Sequence, residues 1–166
     1  MKRIIVDSAP LILLEKLSLL DEVGKRFHLV VPLEVAQETT YRKDLADARS
    51  IDEHINNGRL KVINRRPERG LELRNKWNLG AGEAAVLVMA VEMKAVILTD
   101  DFAAMRVAKA LSVPFVTTVD ILVELNRKKF LSPGLTRAKL MELKKHAWIS
   151  PQFIAAAIKQ IEKEGS

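Results

Sequence analysis

Short apolar runs alternate with helical patterns along this chain of 166 residues, and the alternation limits the possible folds severely. The runs read RIIVD, FHLVVP, LKVIN, AVILT and PFVT, and the segments between them carry apolar residues at helical spacing. Strands separated by helices pair in parallel, because each crossover returns the chain to the same end of the sheet. The sequence therefore predicts an α/β fold, with a three-layer α/β/α arrangement, a central parallel sheet of about four to five strands and additional C-terminal helices.

Two carboxylates stand where predicted strands end. Asp7 closes the run RIIVD, and Asp100 follows AVILT. Binding sites in parallel sheets form outside the carboxyl ends of the strands. We therefore expect Asp7 and Asp100 at the same edge of the sheet.

Two further acidic positions can reach that edge. Pro32 begins a helix directly after the second strand, and Glu34 and Glu38 lie one turn apart on that helix. Glu83 stands in the first turn of the very apolar helix EAAVLVMAVEM, just after the sequence GAG. Taken singly, each acid has an ordinary interpretation as a helix cap, a partner of the helix dipole or a solvated side chain.

Taken together, the acids point to a cation. Carboxylates directed at one edge repel each other and raise each other's pKa unless a positive charge lies between them. Oxygen ligands favour Mg²⁺ or Mn²⁺, and the chain has no cysteine and no histidine within these motifs. A carboxylate-bound divalent ion is typical of phosphodiester hydrolysis.

Positive charge is concentrated in one stretch. The net charge is +6, and between Arg59 and Lys76 seven basic residues stand against two acidic ones. The stretch includes Arg65, Arg66 and Arg69. Such a cluster favours a polyanion such as RNA, and a solvated basic face is the alternative interpretation.

The apolar N-terminus does not indicate export. Asp7 and Glu15 interrupt it, and no small-residue cleavage site follows. The longest apolar run, from Ala84 to Val91, is too short to span a bilayer. We expect a soluble, cytoplasmic protein without a membrane partner, and the lack of cysteine fits a reducing compartment.

Five segments together resemble the PIN-domain (PilT N-terminus-like) family, the fold of many small prokaryotic toxin ribonucleases. They lie between about residues 3 and 128 and read IIVDSAPLILLEKLSLLDEV, VVPLEVAQE, LGAGEAAVLVMA, VILTDDFAAMRVAKAL and FVTTVDILVEL. The resemblance implies a nuclease domain over residues 1–130, followed by a helical extension over residues 131–166 packed on the same domain.

The resemblance also implies a metal-dependent endoribonuclease that uses Mg²⁺ or Mn²⁺. Carried over by motif, its catalytic acids are Asp7, Glu38, Glu83 and Asp100, with Asp7, Glu83 and Asp100 as the metal ligands. Glu34 is the weaker alternative to Glu38. Ser8, Asp101 and Thr118 are secondary candidates, and Asp120 has less support. Arg65, Arg66, Arg69 and Arg106 are candidates for binding RNA.

One departure from the family pattern concerns Arg106. Many members carry an arginine soon after the aspartate pair, whereas here Phe102 comes first and Arg106 later. The family further implies a homodimer and, for its toxin members, an antitoxin partner.

Two other function classes remain open. A non-catalytic module that binds RNA or a partner protein could keep the same pocket. A receiver-type phosphoacceptor domain also gathers aspartates at strand ends, but it needs a lysine late in the sheet that FVTTVD does not supply. Trp77 and Trp148 lie in helical patterns and are predicted to be core residues rather than platforms for stacking nucleobases.

Overall fold

The computed structural model describes residues 3–64 and 68–164, with the side chains of residues 68, 69 and 164 excluded. Its strands are β1 (Arg3–Val6), β2 (His28–Pro32), β3 (Lys61–Ile63), β4 (Val96–Leu98) and β5 (Phe115–Val116). They form one sheet in the order β3-β2-β1-β4-β5, and every pairing is parallel. The predicted α/β fold with a parallel sheet of four to five strands is confirmed.

Helices connect the strands and follow the last one. They are α1 (Ser8–Lys16), α2 (Leu20–Arg26), α3 (Leu33–Thr40), α4 (Ala46–Asn56), α5 (Glu68–Trp77), α6 (Ala81–Met93), α7 (Phe102–Ala110), α8 (Thr118–Arg127), α9 (Pro133–His146) and α10 (Pro151–Glu164). None of these described helices is long and apolar enough to cross a membrane.

The register of the sheet aligns the ends of its two central strands. Val6 of β1 pairs with Leu98 of β4, and Ile5 pairs with Val30 of β2. Residues that follow Val6 and Leu98 therefore emerge side by side at the carboxyl edge of the sheet. The register thus carries the first and last acidic motifs of the sequence to neighbouring positions.

The apolar helix α6 supports this edge from within the core. Leu87 is fully buried, and Val86, Met89 and Ala90 are almost so. α6 contacts β1, β2 and β4, together with α3, α5 and α7. Burial around most of its circumference explains why its sequence is apolar nearly throughout.

Internal contacts divide the chain into two compact units, residues 1–116 and residues 117–166. The first unit contains the complete sheet. The second contains α8, α9 and α10, and α8 packs on both of the other helices. The domain boundary expected near residue 130 stays a prediction.

Candidate active site

Asp7 occupies the end of β1 and begins α1. Its amide donates to the carbonyl oxygen of Leu98 (3.0 Å), which continues the pairing of β1 with β4. Its Oδ1 accepts a hydrogen bond from the amide of Ser8 (2.8 Å), so the side chain caps the helix. Only 5% of Asp7 is exposed, which is unusual for a carboxylate that has no ion-pair partner among the described residues.

A buried threonine joins Asp7 to the acidic pair after β4. The hydroxyl of Thr99 donates to Oδ2 of Asp7 (2.9 Å) and accepts from the amide of Asp101 (3.2 Å). Asp101 in turn caps α7, since its Oδ1 accepts from the amide of Ala104 (2.7 Å). Asp100 lies between Thr99 and Asp101 and is half-buried.

Glu38 reaches toward two other elements from α3. Its Oε2 accepts a hydrogen bond from the hydroxyl of Ser8 (2.6 Å), and its Oε1 accepts from the amide of Gly82 (3.1 Å). A Cβ atom at position 82 would lie only 2.6 Å and 2.9 Å from these carboxylate oxygens. The missing side chain of Gly82 therefore lets the carboxylate approach the first turn of α6.

Glu83 lies in that same first turn. Its Oε2 accepts a hydrogen bond from the amide of Gly80 (2.8 Å), which satisfies a free donor at the start of α6. The negative charge also interacts favourably with the positive end of the helix dipole. The ordinary structural role expected for Glu83 is thus present, and its charge still faces the neighbouring acids.

The pKa of Asp7 responds to its burial and to the neighbouring acids. Burial raises the pKa of Asp7 above its ordinary value, and the negative charges of Glu83 and Glu38 raise it further. The hydrogen bonds from Ser8 and Thr99 act in the opposite direction, but the raising effects are larger. Asp7 therefore lies in a negative potential to which Glu38 and Glu83 both contribute.

The acidic side chains at this edge form a donor set that suits a divalent cation. Asp7, Glu38 and Glu83 offer only carboxylate oxygens, each able to accept beyond the bonds described, and this chemistry fits Mg²⁺ or Mn²⁺. In their present rotamers, however, no three acidic or histidine side chains within residues 3–64 and 68–164 converge as metal ligands. Each carboxylate instead turns to a nearby amide or hydroxyl donor.

Two residues that complete this arrangement were missed in the sequence. Thr99 precedes the aspartate pair in LTDD, and Gly82 precedes Glu83 in GAGE. Both stand beside residues that were singled out. A hydroxyl residue directly before the aspartate pair and a glycine beside an acid were the available signals, but neither reveals a contact between distant segments.

Two further candidates, Thr118 and Asp120, lie in the first turn of α8. Thr118 is fully buried in the first turn of α8, within the second unit. Asp120 completes a capping box, because its Oδ2 accepts from the amide and the hydroxyl of Thr117 (2.8 and 2.7 Å). This role accounts for Asp120 without catalysis.

The arginine candidates are described only in part. Arg65 and Arg66, and the side chain of Arg69, lie outside the described residues. Arg106 is exposed on α7, one turn after the exposed Phe102, so the two side chains share a helical face. Arg106 thus extends from the helix that Asp101 caps.

The family follows from a comparison with known protein families. The model of the PIN domain matches residues 3–163, which is nearly the whole chain. The chain belongs to the PIN-domain family. A search of curated proteins found no match.

A PIN-like fold is also found among solved structures. The crystal structure of PAE2754 from Pyrobaculum aerophilum is similar with a TM-score of 0.56 and 17% sequence identity. The match covers 75% of this chain and 96% of that one. PIN domains have a nuclease-type fold and typically use divalent metal ions, so membership agrees with the acidic edge of the sheet.

Proposed function

We propose that this PIN-domain chain is a ribonuclease that hydrolyses phosphodiester bonds of RNA with Mg²⁺ or Mn²⁺. The observation that carries the proposal is Asp7, a buried carboxylate whose pKa is raised by burial and by the charges of Glu83 and Glu38. A buried acid among other acids costs stability, and such groups are concentrated at functional sites.

Each acidic residue has a proposed role. Asp7, Glu83 and Asp100 would hold the cation, and Glu38 would complete the negative site. When bound, a divalent ion lowers the pKa of water and stabilises the leaving oxygen of a phosphodiester. Ser8 and Thr99 act as positioning residues, because their hydroxyls fix Glu38 and Asp7 through hydrogen bonds.

The substrate needs positive charge that the acidic site does not supply. Arg106 is exposed on α7, which begins directly after Asp101. We assign to Arg106, and to Arg65, Arg66 and Arg69, the binding of RNA phosphates. Contacts of this kind position the strand without reading its sequence.

Cleavage of a labelled single-stranded RNA in Mn²⁺ tests the proposal. The wild type should cut the RNA, whereas Asp7→Asn and Asp100→Asn should lose at least about a hundredfold in rate, as expected for loss of a metal ligand or its support. Glu38→Gln should be similarly impaired. Glu34→Gln is the matched control on the same helix and should keep wild-type activity.

Equal activity in the wild type and both aspartate variants would trace the cleavage to a contaminant and end the proposal. Binding of RNA without any metal-dependent cleavage would instead favour the non-catalytic module. Thermal unfolding separates these cases further. A metal that binds the folded chain raises Tm, and the increase should disappear in Asp7→Asn.

The toxin role, the antitoxin partner and the homodimer follow from the family resemblance alone. Induced expression in bacteria tests the first of them. A toxin should arrest growth, and Asp7→Asn at the same protein level should not. Growth unaffected by an active nuclease would argue for a processing enzyme instead.

A further inference from the structure

Both tryptophans are exposed, which contradicts the expectation of core residues, and Trp148 is the more exposed of the two. Its exposed fraction is 81%, whereas that of Trp77 is 38%. Leaving an indole in water forgoes the favourable free energy of burying one of the largest apolar side chains. An exposed tryptophan of this kind is typical of a binding surface.

The segment that carries Trp148 is short and held at both ends. Ala147 ends α9 with its amide bonded to the carbonyl oxygen of Leu143 (3.0 Å). Ser150 caps the start of α10, since its Oγ accepts from the amide of Phe153 (3.2 Å). Because these bonds fix the backbone on both sides of Trp148, the segment loses less conformational entropy when a ligand binds.

Positive side chains directly precede the tryptophan. Lys144, Lys145 and His146 form the last turn of α9, and all three are exposed. Neither lysine forms an ion pair with any side chain that the structure describes. The helix dipole accounts for cations at this end of α9, but it does not account for the exposed indole beside them.

We propose that Trp148, with Lys144, Lys145 and His146, forms a second contact for single-stranded RNA. The indole stacks on an unpaired nucleobase, and the cations contact the adjoining phosphates. Aromatic side chains among cations are the standard means of holding single strands, because every base offers a stacking face. The contact rests on the proposed RNA substrate and lies on the second unit, separate from the acids of the first.

Charge favours an anionic occupant, and the exposed indole favours one that also offers unpaired bases. The second unit carries a surplus of lysine and arginine over acidic residues, and the protein as a whole has a net charge of +6. A single strand offers both the anionic groups and the unpaired bases that this set of side chains can bind. A duplex offers only the phosphates.

Tryptophan fluorescence tests the contact directly. The chain has two tryptophans, so Trp77→Phe leaves Trp148 as the only tryptophan whose emission is followed. This variant is titrated in EDTA, where metal-dependent cleavage cannot occur, with a twelve-nucleotide oligoadenylate, the matching RNA duplex and inorganic polyphosphate. We expect the oligoadenylate to quench Trp148 strongly, whereas the duplex and polyphosphate leave its emission nearly unchanged.

Substitutions measure the contribution to affinity. In a fluorescence-anisotropy assay with labelled oligoadenylate, Trp148→Ala should weaken binding about tenfold or more, and Trp148→Phe should retain most of the affinity. The double change Lys144→Ala/Lys145→Ala should weaken binding further than Lys159→Ala/Lys163→Ala. The second pair removes the same charge from exposed positions on α10 and serves as the control.

Several results would overturn the inference. One is oligoadenylate that binds by anisotropy without changing the emission of Trp148, and another is the absence of binding altogether. A blue shift caused by phosphatidylglycerol vesicles alone would assign the residue to a membrane surface, and a blue shift with protein concentration alone would assign it to self-association.

The outcome is separable from the proposed nuclease activity. Quenching without any cleavage would support the contact and contradict the nuclease. Cleavage without quenching would support the nuclease and contradict the contact at Trp148.

Discussion

At the scale of single residues, Asp7 combines a structural role with an electrostatic cost. Its side chain caps α1, and the same group is buried near Glu83 and Glu38. Asparagine caps a helix as well as aspartate does, and its amide can donate to the hydroxyl of Thr99. We therefore expect Asp7→Asn to be at least as stable as the wild type in EDTA, and Asp7→Ala to lose about 1 kcal/mol with the cap.

The stability difference between the wild type and Asp7→Asn should depend on pH, because the pKa of Asp7 is raised. The folded chain holds this proton more tightly than the unfolded chain, so the wild type loses stability as pH rises from about 3.9 through the raised value. Asp7→Asn has no such proton to lose. Urea unfolding of both proteins between pH 4 and pH 8 should show that Asp7→Asn exceeds the wild type in unfolding free energy by an amount that grows with pH. A difference that stays constant with pH would contradict the explanation.

Gly82 allows function and stability to be separated at one position. Alanine favours a helix over glycine by up to about 1 kcal/mol, but its Cβ would lie 2.6 Å from Oε2 of Glu38. The end of the Glu38 side chain can move, so Gly82→Ala should fold with unchanged or higher stability. We expect it to lose cleavage to a similar extent as Glu38→Gln.

Gly134→Ala is the matched control for this change. Gly134 also occupies the second position of a helix, and beyond its own helical turn no atom of the described residues lies within 4 Å of where a Cβ would be. Calorimetry and the cleavage assay should show a comparable stability gain with normal activity. Full activity in Gly82→Ala would remove Glu38 from the proposed site.

Sequence reasoning identified residues whose positions are set by the end of a strand, and it missed residues whose roles depend on contacts between distant segments. Asp7 and Asp100 could be placed because the end of a parallel strand fixes the edge where they lie. The contacts of Thr99 with Asp7 and of Gly82 with Glu38 join segments far apart in the chain. Trp148 was wrongly predicted to be a core residue because an indole is usually buried. The helical spacing of apolar residues does not reveal which of them stay exposed.

At the scale of elements, α6 links the core to the acidic edge. Its first turn carries Glu83 and Gly82, and the helix contacts three strands of the sheet. The apolar sequence EAAVLVMAVEM accounts for this burial, because a helix that is apolar on nearly every side is stable where most of its surface is packed. Packing of α6 therefore determines both stability and the position of the site.

Truncation along α6 tests that statement. Leu87 is fully buried, and Leu87→Ala should cost about 2–5 kcal/mol of unfolding free energy through lost burial and an added cavity. Val91 on the same helix is 44% exposed, and Val91→Ala should change stability by about 0.5 kcal/mol or less. Equal losses in denaturant titrations would show that α6 does not pack as described.

At the scale of the whole molecule, the protein combines a net charge of +6 with a cluster of acids at one edge of its sheet. RNA binding should consequently depend on counterion release. The logarithm of the association constant should fall linearly with the logarithm of salt concentration, by about 0.7 per phosphate contact on a single strand. Arg106→Ala should make this slope shallower, whereas affinity independent of salt would contradict an electrostatic mode of binding.

The strands at the two margins of the sheet are short. β3 has three residues and β5 has two, and each pairs with a single neighbour among the described strands. A second copy that extended the sheet at either margin would gain very few backbone hydrogen bonds, which disfavours fibrous aggregation. Any dimer that this protein forms should therefore assemble through helical faces.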